Sequence, residues 1–187
     1  MGRWEPNATD RLVVAALELF ETNGYENTTV IGIAERAGLT KSTFFRHFQD
    51  KREVLFGRSS LADVLAEGIA KAPADAEPLE AVACALELLA QDVFTPERRD
   101  FIARRQAVVA THPELREREA LKGLGLIAAM TGALERRGLP ALTARVTAEL
   151  GALALELAYT RWGSASRDFT EVAREALDEV RSAAPAR

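Results

Sequence analysis

The stretch from Thr28 to Phe48 constrains the fold more than any other part of the chain. It contains two short helical patterns that meet at Ala37-Gly38-Leu39, a turn so tight that its centre requires glycine. Ala34, one helical turn earlier, is small enough for a second helix to cross closely. Three apolar side chains can fill the wedge between the helices: Ile33, Leu39 and Phe44. The spacing predicts a helix-turn-helix, whose second helix enters the DNA major groove, with an ordinary helical hairpin as the alternative.

The distribution of charge favours the first interpretation. From Arg36 to Arg58 there are six basic and two acidic side chains, whereas residues 61–187 carry sixteen basic and twenty acidic ones. A basic patch on a protein whose net charge is −4 is the electrostatic signature of duplex binding. The alternative interpretation of such a run of charges is an ordinary solvent-exposed surface that binds nothing. Here the patch coincides with the turn motif, and the two signals reinforce each other.

The rest of the chain has helical character. Ala and Leu account for 57 residues, against 17 Val plus Ile, and this bias favours helix over strand. Periodicity, caps and prolines predict an all-α fold of about nine helices, near residues 7–23, 28–38, 40–48, 50–69, 79–94, 97–111, 114–137, 141–162 and 168–183. The polar, proline-containing stretch 71–78 separates a predicted domain 7–70, with its helix-turn-helix at about 29–48, from a second domain 75–187.

Several functional classes are disfavoured by what the chain lacks. One Cys permits no intrachain disulfide, and the two His have no spacing suited to a helical zinc site. There is no Gly-x-Ser-x-Gly elbow, and no apolar run approaches the ~20 residues that a membrane span requires. We therefore expect a cytoplasmic protein that is not an enzyme, with no metal, no cofactor and no membrane partner.

The N-terminal third of the chain resembles the TetR family of bacterial transcriptional regulators. The matching residues are Gly24-Tyr25, Thr28-Thr29-Val30, Ile33 to Phe48 and Asp50 to Leu55, which are specific as a set. The remaining two thirds match only in length, helix count and lack of catalytic motifs. The resemblance implies a three-helix DNA-binding domain followed by a helical domain that binds a small effector and forms a dimer.

The resemblance also assigns residues to DNA contact. Thr29 would cap the second helix near a phosphate, and the recognition helix would start at Lys41. Phe45 departs from the Tyr usual in the family, so a phosphate hydrogen bond is lost while the ring can still pack on a sugar or a thymine methyl. The full set of expected DNA contacts is Thr29, Lys41, Ser42, Thr43, Phe45, Arg46, His47 and Lys51.

The C-terminal region offers candidates for an effector pocket and a dimer interface. Polar or aromatic groups on apolar faces are the pocket candidates: Gln91, Phe94, Phe101, Arg105, Met130, Tyr159 and Trp162. The helix around Leu150–Tyr159 is apolar nearly all round, which is typical of a helix buried on more than one side. We expect Val146, Leu150, Leu153 and Leu157 to face the body of the chain. The expected dimer contacts are Gly151, Ala154, Ala158, Val172, Ala176 and Val180. A monomer with a thick core is the alternative.

The sequence thus predicts a ligand-responsive DNA-binding regulator. The most favoured form is a homodimeric repressor that a small, largely hydrophobic effector releases from a palindromic double-stranded operator. Two alternatives remain open: a helical enzyme that uses the C-terminal cavity, and an effector-independent DNA-binding protein.

Overall fold

A computed structural model describes residues 7–56, 61–163 and 167–183. Within those ranges the chain is helical and contains no strand, which confirms the all-α prediction. The described residues form nine helices: α1 (Ala8–Asn23), α2 (Val30–Arg36), α3 (Lys41–His47), α4 (Leu61–Lys71), α5 (Pro78–Asp92), α6 (Arg99–Thr111), α7 (Pro113–Arg136), α8 (Ala141–Trp162) and α9 (Phe169–Ala183). Short 3₁₀ turns cover Lys51–Glu53 and Pro96–Arg98. No helix in the described ranges is long and apolar enough to cross a membrane.

The fourth helix differs from its prediction. Asp50 caps only the 3₁₀ turn, where its carboxylate accepts the Glu53 N–H at 3.1 Å, and residues 54–56 form a turn. The backbone bond from Phe56 to Glu53 has i→i+3 spacing, and the Leu55 carbonyl accepts from the Arg105 side chain at 2.8 Å. A continuous helix from residue 50 is therefore wrong. Its middle, residues 57–60, lies outside the described ranges, and α4 is described from Leu61.

The chain divides into two compact units that interleave along the sequence. One unit contains α1–α3 together with the segment Arg104–Ala120, which is the end of α6 and the start of α7. The other contains α4, α5, α8, α9 and the remaining parts of α6 and α7. This division differs from the predicted boundary near residues 70–75, because side chains of the α6–α7 segment contact α1, Tyr25 and the chain after α3.

The first unit contains three helices around a small core of aliphatic and aromatic side chains. Leu12 and Ala16 of α1 are fully buried, as are Ile33 of α2 and Phe44 of α3. Gly38 has φ +65°, and the turn closes with a Leu39 N–H bond to the Ala34 carbonyl at 2.8 Å. This is the left-handed helix ending that favours glycine, so α2 stops and α3 starts in a new direction.

The second unit is a helical bundle in which small residues permit close crossings. A Cβ at Gly68 of α4 would lie 2.4 Å from Ala85 Cα of α5. Likewise, a Cβ at Gly151 of α8 would lie 2.7 Å from Val82 Cγ1 of α5. Helix α9 buries one apolar stripe against the same core and exposes a charged face. The bundle therefore uses glycine to bring α4 and α8 against α5.

Candidate functional site

Helix α3 is held by its ends and by its inner face. The Thr40 hydroxyl accepts the Thr43 N–H at 3.1 Å, which satisfies an amide that the first turn would otherwise leave unpaired. Phe44 is fully buried, and its ring lies 5.5 Å from those of both Phe45 and Phe48. On α1, Arg11 donates to the Ala37 carbonyl in the turn before α3. A helix of only seven residues is thus fixed to its unit by tertiary contacts.

The outward face of α3 presents polar, basic and aromatic groups together. Lys41, Ser42 and Arg46 are exposed, and Thr43 is half-buried. The Phe45 ring is 49% exposed, with Lys41 Nζ 5.9 Å from its centroid. On α2, Thr29 is exposed at the N-cap, where its hydroxyl accepts the Gly32 N–H at 3.0 Å. This is one exposed surface on a rigidly mounted short helix.

Two expected DNA contacts have partners inside the unit. His47 Nδ1 shares a 3.0 Å hydrogen bond with the Thr9 hydroxyl at the start of α1. Lys51 donates from Nζ to the Tyr25 carbonyl at 2.7 Å, and its ammonium lies 4.0 Å from the Tyr25 ring centroid. These contacts hold α3 and the chain after it against α1. They also direct the Lys51 charge toward Tyr25.

Part of the basic patch is neutralised by neighbouring acids. Arg36 pairs with Glu18 at 2.7 Å and Arg52 pairs with Asp50 at 2.8 Å. Burial would raise the pKa of the Asp50 carboxyl, but hydrogen bonds from Arg52 and the Glu53 backbone outweigh it and lower the pKa. Arg58 lies outside the described residues. The exposed positive charge of α3 itself therefore comes from Lys41 and Arg46.

These features define the class: a short, basic, outward-facing helix mounted on a second helix through a glycine turn is a helix-turn-helix. Residues 12–57 match the family described as bacterial regulatory proteins, tetR family, which consists of regulators rather than enzymes. That match spans 46 of the 187 residues, so the likeness to the family lies in the helix-turn-helix region. The chain is 43% identical over 74 residues to the HTH-type transcriptional regulator TcmR of Streptomyces glaucescens. That match covers 39% of this chain and 33% of TcmR, so the likeness is confined to one part of each protein.

Solved structures share the fold over nearly the whole chain. NalD, the secondary repressor of the MexAB-OprM multidrug efflux pump in Pseudomonas aeruginosa, has a TM-score of 0.59 and 22% identity, with coverage of 94% of this chain and 95% of NalD. FadR of Thermus thermophilus, a TetR-family repressor crystallised with lauroyl-CoA, has a TM-score of 0.54 and 22% identity, with 96% of each chain covered. At this identity the likeness establishes the fold.

Three pocket candidates come together in the second unit. Phe94 at the end of α5 lies 5.8 Å from the rings of both Tyr159 and Trp162 at the end of α8. Phe169, which the sequence did not single out, stacks on Phe94 at 4.1 Å, and Arg99 lies 4.8 Å from the Trp162 ring. Trp162 is fully buried, and its Nε1 has no hydrogen-bond partner in the part of the chain that the structure describes. We call Phe94, Tyr159, Trp162 and Phe169 the aromatic cluster.

The other pocket candidates are dispersed. Gln91 lines a shallow groove of about 140 Å³ between α4 and α5, with Lys71 and Cys84. Met130 is fully buried and Phe101 is half-buried, both packed in the core of the second unit. No group of three potential metal-ligating side chains is found among the described residues.

The pocket assignment of Arg105 needs correction. Its Nε donates to the Leu55 carbonyl at 2.8 Å, its Nη1 donates to Glu119 at 3.0 Å, and its guanidinium lies 4.6 Å from the Phe56 ring. These groups all belong to the first unit. The side chain is only 13% exposed. Arg105 therefore ties α6 to the chain after α3, and its donors point to protein partners.

The expected dimer contacts also need correction. The face of α8 that was expected to meet a second chain packs inside its own chain, and part of the face that was expected to pack inside is exposed. Gly151, Ala154, Ala158, Val172, Ala176 and Val180 are all buried within their own chain. Gly151 is small because α8 crosses α5 there. Val146 and Leu153, expected to face the body, are 49% and 46% exposed, and Leu142 is 77% exposed. The outer face of α8 thus exposes apolar side chains to solvent.

The contacts that the sequence did not indicate are those of the α6–α7 segment. Arg104 binds Glu21, 83 positions earlier, and Arg118 binds Glu53, 65 positions earlier. The Tyr25 hydroxyl donates to Glu114 at 3.0 Å. Each residue is a common surface type, so no local pattern could have paired them.

Proposed function

We propose that this protein is a transcriptional repressor that binds a palindromic double-stranded DNA operator in the cytoplasm as a homodimer and releases it when a small effector binds. The observation that carries the DNA-binding part is the outward face of α3, where Lys41, Ser42 and Arg46 are exposed together. Lys and Arg neutralise phosphates or bind guanine edges, and Ser donates to either. The helix-turn-helix fixes these groups to the unit, so little freedom is lost on binding.

Phe45 adds a different kind of contact. Its exposed ring stands between Lys41 and the buried Phe44, within the same surface. Duplex DNA offers an apolar group in the major groove in the form of the thymine methyl. An aromatic side chain at this position supports base contact alongside phosphate contact.

A salt-dependent gel shift tests DNA binding. The target is the promoter of the protein's own gene or of a neighbouring gene, and the variants are Lys41→Ala and Arg46→Ala. If each side chain contacts a phosphate, its removal lowers the slope of log K against log salt by about one and weakens binding by roughly 1–3 kcal/mol. Arg181→Ala on the exposed face of α9 removes the same charge in the other unit and should change neither quantity. Equal salt slopes in all three variants would refute α3 as the DNA-contacting helix.

The homodimer is supported by the outer face of α8. Leu142, Val146 and Leu153 expose apolar surface along one side of the helix, and Arg145 and Glu149 pair between them at 2.6 Å. A twofold interface requires a self-complementary patch. An antiparallel α8 pair whose axis passes between residues 147 and 148 places Leu142 beside the partner's Leu153 and brings opposite charges within one turn. Two such protomers would match a palindromic operator.

The effector site is supported by the aromatic cluster. It combines four packed aromatic rings, three of them buried, with a buried indole N–H that lacks a partner in the described part of the chain. A buried donor left unpaired costs about 1–3 kcal/mol, so a ligand acceptor that reaches it gains affinity. We therefore propose a mostly hydrophobic effector with one polar or anionic end. The lauroyl-CoA bound by Thermus thermophilus FadR is of this chemical type. A protein that binds DNA identically with and without apolar ligands would instead be effector-independent.

A further inference from the structure

The α6–α7 corner, residues Arg104–Ala120, lies in the same unit as the helix-turn-helix although it is about fifty residues further along the chain. Its two helices, α6 and α7, both continue into the other unit. Besides the bond from Arg105 to the Leu55 carbonyl, three pairs of side chains join the corner to the flanks of the helix-turn-helix.

The first tether joins the corner to α1. Arg104 of α6 makes a bidentate pair with Glu21, with Nε 2.9 Å from Oε1 and Nη2 2.5 Å from Oε2. The hydrogen bond from Arg104 is the main cause of a lowered pKa of Glu21. The carboxylate is 30% exposed and the guanidinium 39%. Two parallel bonds fix an angle as well as a distance.

The second tether joins the corner to the turn between α1 and α2. The Tyr25 hydroxyl donates to Glu114 of α7 at 3.0 Å, and the Tyr25 ring lies 5.4 Å from that of His112. Burial raises the pKa of the Tyr25 hydroxyl, which therefore stays protonated and remains a donor. Lys51 covers the ring and binds the Tyr25 carbonyl, so this tether also reaches the chain after α3.

The third tether joins the corner to the 3₁₀ turn after α3. Arg118 of α7 pairs with Glu53, whose other carboxylate oxygen accepts the Gln49 N–H at 3.1 Å. Both partners are mostly buried, with 30% and 22% of their side chains exposed. The chain that follows α3 is therefore held by the local bond between Gln49 and Glu53 and by the ion pair with α7.

We propose that these three pairs, Arg104–Glu21, Glu114–Tyr25 and Arg118–Glu53, form a corner clasp that sets the operator half-site spacing the protein accepts. The inference rests on the proposed function as a dimeric DNA-binding protein. None of the six residues lies on α2 or α3, so the clasp acts by orienting the helix-turn-helix relative to α6 and α7. Dimeric helix-turn-helix proteins bind half-sites about 34 Å apart, and one extra base pair moves the second half-site by about 3.4 Å along the duplex.

The test is the spacing preference of clasp variants. The Glu21→Gln, Arg118→Gln double variant removes the ion pair of two tethers and leaves a polar side chain at both positions, with the same size at position 21 and a shorter one at position 118. Glu18→Gln is the matched control, because Glu18 also lies on α1 and also pairs with an arginine, Arg36, but that pair joins α1 to α2. Binding is measured to the operator, to operators whose spacer is one base pair longer or shorter, and to an isolated half-site.

We expect the double variant to lose about threefold or more of the wild-type discrimination between native and altered spacers, the change that loss of partly exposed ion pairs allows. Its affinity for the isolated half-site should equal that of wild type, and Glu18→Gln should keep wild-type discrimination. The charge-swapped pair Glu21→Arg with Arg104→Glu restores the tether in reverse and should preserve the spacing preference, which covers the case in which the double variant folds poorly.

Two outcomes overturn the clasp while leaving the proposed function intact. One is equal weakening on every spacer and on the half-site, which is what a purely structural role produces. The other is wild-type discrimination in the folded double variant, whatever the charge-swapped pair shows. If the wild type binds none of these DNA molecules, the proposed function fails and the inference fails with it.

Discussion

At the scale of single residues, two glycines six positions apart, Gly32 and Gly38, have opposite effects on stability. Gly38 has φ +65° in the turn between α2 and α3, whereas Gly32 lies inside α2 with ordinary helical geometry. A Cβ at Gly32 would meet only the Thr29 hydroxyl, at 3.4 Å. Gly38 is required by the backbone conformation of the turn. Gly32 is not, and it makes α2 less stable than alanine would.

Alanine substitution separates these roles. Gly38→Ala should lower the free energy of unfolding by about 1–2 kcal/mol, because an L-residue is strained in the left-handed region. Gly32→Ala should raise the free energy of unfolding by roughly 0.5–1 kcal/mol, because alanine favours helix and restricts the unfolded chain. Urea unfolding followed by circular dichroism measures both. Equal effects of the two substitutions would contradict the conformational argument.

Residues whose partners are nearby in the sequence could be predicted, and those with distant partners could not. Asn7, Thr29 and Thr40 each cap the helix that follows by accepting the N–H three positions further along the chain. Lys51 and Arg105 were assigned to DNA and ligand, but the structure shows them bound to carbonyls 26 and 50 positions earlier. A long basic side chain has many possible partners, and only the tertiary fold selects among them.

At the scale of elements, the sequence predicts where α8 lies but not which way it faces. Its bounds, Ala141–Trp162, agree with the predicted range 141–162. The helix has small residues on one side and large apolar residues on the other, and small residues permit close approach to any helix. The structure uses Gly151 to pack against α5, which leaves Leu153 at the surface. Amphipathicity alone does not distinguish a partner in the same chain from one in another.

The ends of α5, α8 and α9 meet in the aromatic cluster, and this predicts where an effector binds. The chain has two tryptophans, so Trp4→Phe leaves Trp162 as the only one. In that background, binding of anilinonaphthalene sulfonate, an apolar probe with one anionic end, should quench Trp162 emission by energy transfer and weaken operator binding. Adding Phe94→Ala, which opens the cluster, should change the affinity for the probe.

Gln91→Ala is the control for the groove between α4 and α5 and should leave probe affinity unchanged. Loss of probe binding in Gln91→Ala, with no effect of Phe94→Ala, would move the site to the groove. Probe binding that leaves operator affinity unchanged would count against the proposed induction, because a ligand shifts an equilibrium only by its differential affinity for the two states.

At the scale of the whole molecule, the domain boundary was the hardest feature to predict. The proline-containing stretch 71–78 separates α4 from α5, yet both helices belong to one bundle. The corner of α6 and α7 belongs with the helix-turn-helix instead. Composition marks where the chain turns, but it carries no sign of the long-range ion pairs at Glu21 and Glu53 that join the corner to the N-terminal segment.

The assembly of two chains gives the final prediction, which rests on the difference between neighbouring residues of α8. Leu153 is 46% exposed and Ala154 is fully buried. Leu153→Arg should place a charge in the proposed dimer interface and yield a folded monomer near 20.4 kDa in sedimentation, whereas wild type should sediment at twice that mass. Ala154→Arg should bury an unpaired charge inside its own chain and reduce helical content.

Leu124→Arg is the control. Leu124 of α7 is 58% exposed and lies outside the proposed dimer surface, so this variant should remain a dimer. Dissociation by Leu124→Arg but not by Leu153→Arg would place the interface on α7, and a monomeric wild type would refute the dimer.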